Sequence, residues 1–164
     1  MELLFRDVTL SLSQQTILNG VSGFCRPGEM LAIMGPTGSG KTSLLNVLAG
    51  RISQIERGSI FLDGHVLNKT LKRKIVYILQ QDIFFTNLTL RQTLTFMALL
   101  RLPDTMRYEE KIRRVDEIVA TLDLRKCLDV RIGDQLTGGL SGGEKKIANI
   151  ATELLSNPEL MYID

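Results

Sequence analysis

An α/β fold is what three features of the 164-residue sequence predict. A short apolar run, Met30 to Met34, feeds the glycine-rich turn Gly35-Pro36-Thr37-Gly38-Ser39-Gly40-Lys41-Thr42. That turn opens a helical pattern running from Ser43 to Ala49. A second glycine-bearing helix start, Leu140-Ser141-Gly142-Gly143-Glu144, precedes another apolar run that ends on Asp164. Strand, glycine turn and helix in that order are the setting of the phosphate-cradling P-loop. Its glycines let the backbone curl until several N–H groups face one anion, and the helix that starts there adds the positive end of its dipole. The pattern predicts binding of a nucleoside triphosphate, with Lys41 reaching the β- and γ-phosphates and the Thr42 hydroxyl taking a place on Mg²⁺.

Strands dominate the first third. Leu3-Leu4-Phe5, Val8 to Leu12 and Ile17 to Phe24 are short and partly alternating, with polar or glycine breaks between them. Pro27-Gly28-Glu29 reads as a turn before the P-loop strand, and Gly50 as the glycine that closes the P-loop helix. Ser59 to Leu62 and His65 to Leu67 flank Asp63-Gly64 as a hairpin. Lys74 to Leu79 is rich in β-formers and reads as a strand buried on both faces that delivers Gln80 at its end.

From Thr89 the character becomes helical. Thr89 and Gln92 have capping-box spacing, and Leu90, Leu94, Met97 and Leu100 form an apolar stripe. A second helix is expected over Tyr108 to Leu122, with Ile112, Val115, Ile118, Val119 and Leu122 on one face and Glu109, Glu110, Lys111 and Arg114 off it. At Leu140 to Glu144 a capping Ser and two glycines expose backbone N–H groups ahead of a stripe of Ile147, Ile150, Ala151, Leu154 and Leu155. An ordinary helix start explains these residues one by one, since Ser141 and Glu144 form a capping box; beside a P-loop they read as a second anion site. Pro158 to Ile163 reads as a buried strand whose final Asp164 has the form of the acidic residue that holds Mg²⁺ in P-loop NTPases.

Composition narrows the function. An apolar content of 44 % indicates a globular domain with a core, and no run approaches the ~20 apolar residues of a membrane span. The N-terminus lacks the basic and apolar regions of a signal peptide, which predicts a cytosolic setting. Cys25 and Cys127 fit no metal spacing or disulfide framework and read as reduced, packed thiols. The formal charge of +2 and short, broken basic stretches give no nucleic-acid surface. His65 reads as a solvated hairpin residue rather than a catalytic one.

The ordered set of GPTGSGKT, strand-end Gln80, LSGGE and LMYID resembles the nucleotide-binding domain of an ATP-binding cassette (ABC) protein. MGPTGSGKTSLLNVLAGR, YILQQD, LTLRQTLTF with LRLP, and SGGEKK with ATELL resemble the G subfamily of half-transporters. The resemblance implies a P-loop NTPase (RecA-like) core with an antiparallel β lobe and a helical subdomain of about residues 86–140, all within one partial domain over 1–164. It implies ATP and Mg²⁺ as ligands, with Gly35, Pro36, Thr37, Gly38, Ser39, Gly40, Lys41, Thr42 and Ser43 around the phosphates. Gln80 would approach Mg²⁺ and the attacking water, Asp164 would hold Mg²⁺ through water, and Leu140 with Ser141 to Glu144 would close on the ATP of a second cassette in a homo- or heterodimer.

The family's members are ATPases that move hydrophobic substrates, mostly as exporters, through a transmembrane domain on the same polypeptide. This implies membrane association at the cytoplasmic face, with the present segment itself soluble. Three departures stand out. Leu10 and Leu12 offer only apolar packing where an aromatic often stacks on adenine; Gly138 and Ile147 stand where the family usually has Arg; and the family's catalytic Glu after the strand Asp lies outside the sequence, so the chain reads as a fragment expected not to turn over ATP alone. Ile83-Phe84-Phe85 reads either as a docking cluster for the transmembrane domain or as core. A non-hydrolysing nucleotide-binding regulator and a soluble ABC ATPase are the alternative functions. The ~60 residues between Gln80 and Ser141 exclude the long coiled-coil insertion of chromosome-type ABC ATPases.

Overall fold

A computed structural model describes residues 1–12, 15–134 and 138–164, a mixed α/β chain. It divides into two compact units, Met1–Tyr77 with Glu159–Asp164, and Ile78–Pro158.

The first unit is built on β1 (Leu3–Leu12), which pairs antiparallel with β2 (Gln15–Cys25) on one side and with β3 (Arg57–Leu62) on the other. β3 turns through Asp63-Gly64 into the short β4 (His65–Val66), giving the order β2-β1-β3-β4. The two short strands expected at Leu3 and Val8 are one. Leu3 and Phe5 are buried, then Val8 and Leu10, so the alternation slips by one residue between the pairs. The register shifts there and Asp7 takes φ 53°, the mark of a bulge that returns the next apolar residue to the core face. The Asp7 amide donates to Ser22 Oγ at 2.8 Å, and its carboxylate pairs with Arg57 at 2.8 Å.

Helix α1 (Lys41–Leu48) buries Leu44, Val47 and Leu48 in the same apolar cluster as Phe5, Val8, Leu10 and Leu62. Gly50, at φ 67°, ends it by donating its N–H to Val47 O at 2.9 Å. A one-turn helix α2 (Lys69–Lys72), capped by Asn68, leads to β5 (Ile75–Ile78), which lies beside β8 (Leu160–Ile163). A 2.6 Å ion pair between Lys74 and Glu159, and a bond from the Glu159 amide to Lys74 O, fasten the start of that pairing.

Two strand expectations need correction. Met30 to Met34 is not a strand: Met30 is 95 % and Met34 89 % exposed. An apolar run becomes a strand only when a neighbour takes its N–H and C=O groups, and no described strand pairs with this one. Met30 to Ile33 instead line an open groove of about 720 Å³ together with Leu160 and Tyr162. In β5, Ile75, Val76 and Tyr77 are half-buried and Ile78 is buried, so the strand is not enclosed on both faces.

The second unit packs α3 (Leu90–Arg101), α4 (Tyr108–Thr121) and α5 (Gly142–Leu154) around Leu94, Ala98, Val115, Val119, Ala151 and Leu155. A 3₁₀ turn at Arg125–Cys127 and the two-residue strands β6 (Gly133–Asp134) and β7 (Gly138–Gly139) complete it. The capping box at Thr89 and Gln92 forms as expected. The seams differ from the expected stripes by a residue. On α3 it is Ala98 that is buried, while Leu100 is 67 % exposed; on α5 it is Ala148, with Ile147 on the exposed side. Small side chains let helices approach closely, which draws the alanines into the seam in place of larger neighbours. Lys111, expected off the apolar face of its helix, is buried: its ammonium donates to Leu102 O at 3.0 Å and Leu99 O at 3.4 Å, satisfying carbonyls at the end of α3. Among the described residues no helix is long and apolar enough to cross a membrane.

Candidate nucleotide-binding site

The glycine turn delivers the chain into α1 with Gly40 as its N-cap at φ 88°, after Gly38 at φ 80°. A side chain is strained at both positions, and at Gly40 a Cβ would also press to 3.1 Å from Ile17 O. No side chain caps α1 and no acid occupies its first turn. Its leading N–H groups are therefore not taken by a capping side chain, the condition under which a helix start attracts an oxyanion. The Ser39 amide donates to Pro36 O at 3.2 Å and closes the turn. Lys41 folds back over the loop, its Nζ donating to Gly35 O at 2.9 Å and Pro36 O at 2.7 Å. An ammonium has three donors, so the same group can hold the loop and meet an anion.

Next to the lysine, the Thr42 hydroxyl donates to Asp164 Oδ1 at 2.9 Å. The Asn46 amide holds the Thr42 carbonyl at 2.8 Å. The other carboxylate oxygen, Oδ2, accepts from the Tyr77 hydroxyl at 3.1 Å. Burial, then the hydrogen bond to Asp164, pushes the Tyr77 phenol up to about 12, so it is a donor at neutral pH. Its ring lies under the Arg51 guanidinium, 4.4 Å from the centroid.

A hydroxyl and a carboxylate brought together from separate elements suit Mg²⁺, which takes few protein oxygens and completes its shell with water and phosphate. Among the described residues there is no cluster of three or more His, Cys, Asp or Glu that would hold a metal by itself. Thr42 and Asp164 fit the ion as a site to which a bound phosphate contributes.

Leu140, Ser141 to Glu144 and Gln80 lie in the second unit. Ser141 caps α5: its Oγ accepts from the Glu144 amide at 3.3 Å, and Glu144 Oε2 accepts from the Ser141 amide and hydroxyl at 2.8 and 2.7 Å. These bonds hold the Glu144 carboxyl below the usual carboxylate range. Gly142 and Gly143 are exposed, with open space where a Cβ would stand. Leu140 is buried in the core, anchoring the approach to the helix.

Gln80 is exposed just beyond β5. Lys146 donates to Leu79 O at 2.7 Å, and Asn149 to Asp82 Oδ1 at 2.7 Å, so α5 holds the segment on either side of Gln80. Sequence reasoning missed Tyr77, Lys146 and Asn149. The last two sit three residues apart on one helix face, the only pattern that singles them out. Of the apolar trio, Phe84 packs against the helical core, while Ile83 and Phe85 are 79 % and 70 % exposed. Leu10 is fully buried, which leaves Leu12 as the exposed leucine of that strand.

The family model described as ABC transporter matches residues 18–164. ABC transporter G family member 22 of Arabidopsis thaliana is 44 % identical over 169 residues, covering 98 % of this chain and 22 % of the relative. Member 14 from the same plant is also 44 % identical, covering 92 % of the chain and 23 % of the relative. ABC transporter G family member 24 of Dictyostelium discoideum is 41 % identical over 93 % of the chain and 13 % of the relative. The chain thus spans under a quarter of the length of these relatives. With the family match running unbroken from β2 through the glycine turn to Asp164, the chain belongs to the ABC transporter family.

Proposed function

We propose that this chain is the ATP-binding cassette of a G-type half-transporter, which couples ATP binding and hydrolysis to the export of a lipid, sterol or other hydrophobic substrate. The observation that carries the reading is the meeting of Thr42 and Asp164 at 2.9 Å beside a lysine-closed glycine turn. The turn and α1 bind the phosphates of ATP, and Lys41 neutralises the β- and γ-phosphates. Thr42 and Asp164 hold Mg²⁺, which when bound offsets charge on the same phosphates. Gln80 orients the attacking water.

The first unit then corresponds to the P-loop, RecA-like core and its antiparallel lobe, and residues of about 86–140 to the helical subdomain. Ser141 to Glu144 meet the nucleotide of a second cassette, and the exposed Ile83 and Phe85 face a transmembrane domain on the same polypeptide at the cytoplasmic side of a membrane. The length of the relatives, more than four times the matched span, supports a polypeptide with room for that domain.

Lys41→Ala tests the core of this reading. Loss of a charge-assisted hydrogen bond costs about 1.5–3 kcal/mol, so affinity for a fluorescent ATP analogue is expected to fall roughly ten- to a hundred-fold. Equal affinity of the two forms removes Lys41 from the site.

A further inference from the structure

The two carboxylate oxygens of Asp164 are held from different elements, Oδ1 from α1 and Oδ2 from β5. The Tyr77 hydroxyl reaches Oδ2 at 3.1 Å while Thr42 reaches Oδ1 at 2.9 Å. Asp164 follows the last residue of β8, and Tyr77 belongs to the neighbouring β5, so the two side chains leave adjacent strands of one sheet. The Tyr77 ring is fixed from outside by Arg51 at 4.4 Å, and it packs against the apolar cluster of the first unit.

We infer that Tyr77 is a positioning residue for the metal-binding carboxylate: by engaging Oδ2 it turns Oδ1 of Asp164 toward Thr42, where Mg²⁺ is to be held. The inference rests on the proposal that Thr42 and Asp164 bind that ion. The physical reason lies in the free rotation of an aspartate side chain. A carboxylate at a strand end can swing about two bonds, and the Thr42 hydroxyl that now restrains Oδ1 must release it to serve as a ligand itself. A donor on the opposite oxygen leaves the ligand oxygen unobstructed and keeps the group aimed when that exchange occurs. Outer partners of this kind orient metal ligands, and their loss typically weakens metal affinity 10–100-fold.

Tyr77→Phe isolates the hydroxyl, because the ring and its stack on Arg51 stay. The measurement is the affinity of the 164-residue chain for a fluorescent ATP analogue, taken with excess EDTA and across a Mg²⁺ titration, alongside the melting temperature. The expected result is an unchanged affinity in EDTA and about a tenfold higher Mg²⁺ concentration for half of the metal-dependent gain. In an Asp164→Asn background, which removes the carboxylate, Tyr77→Phe is expected to add nothing.

Arg51→Ala, at an exposed position, provides a second variant with an intact hydroxyl and a loosened ring; a smaller rise in the Mg²⁺ requirement is expected. An unchanged Mg²⁺ requirement in Tyr77→Phe overturns the inference, as does an equal loss of affinity with and without the metal, which marks a merely structural residue. If instead Lys41→Ala binds as well as the parent chain, the nucleotide site itself is misassigned and this inference falls with it.

Discussion

Glu144 shows how one carboxylate can anchor a helix start. Half-buried at the start of α5, it accepts two hydrogen bonds from Ser141, and these outweigh the opposing effect of burial on its charge. Ser141→Ala is expected to cost about 0.5–2 kcal/mol at neutral pH, read from a denaturant melt. The charge adds a pH dependence whose sign follows from the depressed folded pKa. The contribution is complete above the unfolded value of roughly 4.3 and disappears as pH falls through the lower folded value. The melting-temperature gap between the parent chain and Glu144→Gln should therefore be present at pH 7 and close in acid below that window. A gap that persists in strong acid would mean that the carboxylate's charge is not what holds the cap. The capping spacing of Ser141 and Glu144 was legible in the sequence because both partners lie within one turn, as was that of Thr89 and Gln92.

Elements were read well where the signal was local and less well where two elements share a seam. Helix α3 begins where its capping box places it, at Leu90, and α4 where its periodicity does, at Tyr108. The buried lysine between them was not anticipated, because a charged residue off the apolar stripe ordinarily stays in water. Lys111 is inside because α3 ends against α4 with carbonyls in need of donors, and its ammonium reaches two of them. Lys111→Met keeps the length of the side chain but leaves those carbonyls unpaired, a loss expected at about 1–3 kcal/mol in a urea melt. An unaltered midpoint would show that water can replace the ammonium. Met30 to Met34 likewise carries an apolar pattern, yet among the described residues no strand pairs with it.

Over the whole molecule, two separate apolar clusters divide the chain. One contains Leu10 with α1 and the four-stranded sheet, the other Leu94 with the helices. Both leucines are fully buried, so Leu10→Ala and Leu94→Ala are each expected to cost about 2–5 kcal/mol. Hydrogen exchange followed by mass spectrometry should place the loss of protection mainly in Met1–Tyr77 for the first and in Ile78–Pro158 for the second. Uniform loss in both variants would show that the units open only together.

By itself the sequence determined the α/β character, the glycine turn that opens α1, the helix caps and the candidate residues from Gly35 to Asp164, because each rests on residues a few positions apart and on backbone conformations that only certain side chains permit. Tertiary structure alone decided which of those residues meet. Thr42 and Asp164 are 122 positions apart, and Tyr77 and Asp164 are 87 apart. Such pairings depend on which strands become neighbours and in what register, a choice made by the burial of whole faces rather than by any local pattern. That is why the metal-binding candidates could be named in advance, while the tyrosine that orients one of them could not.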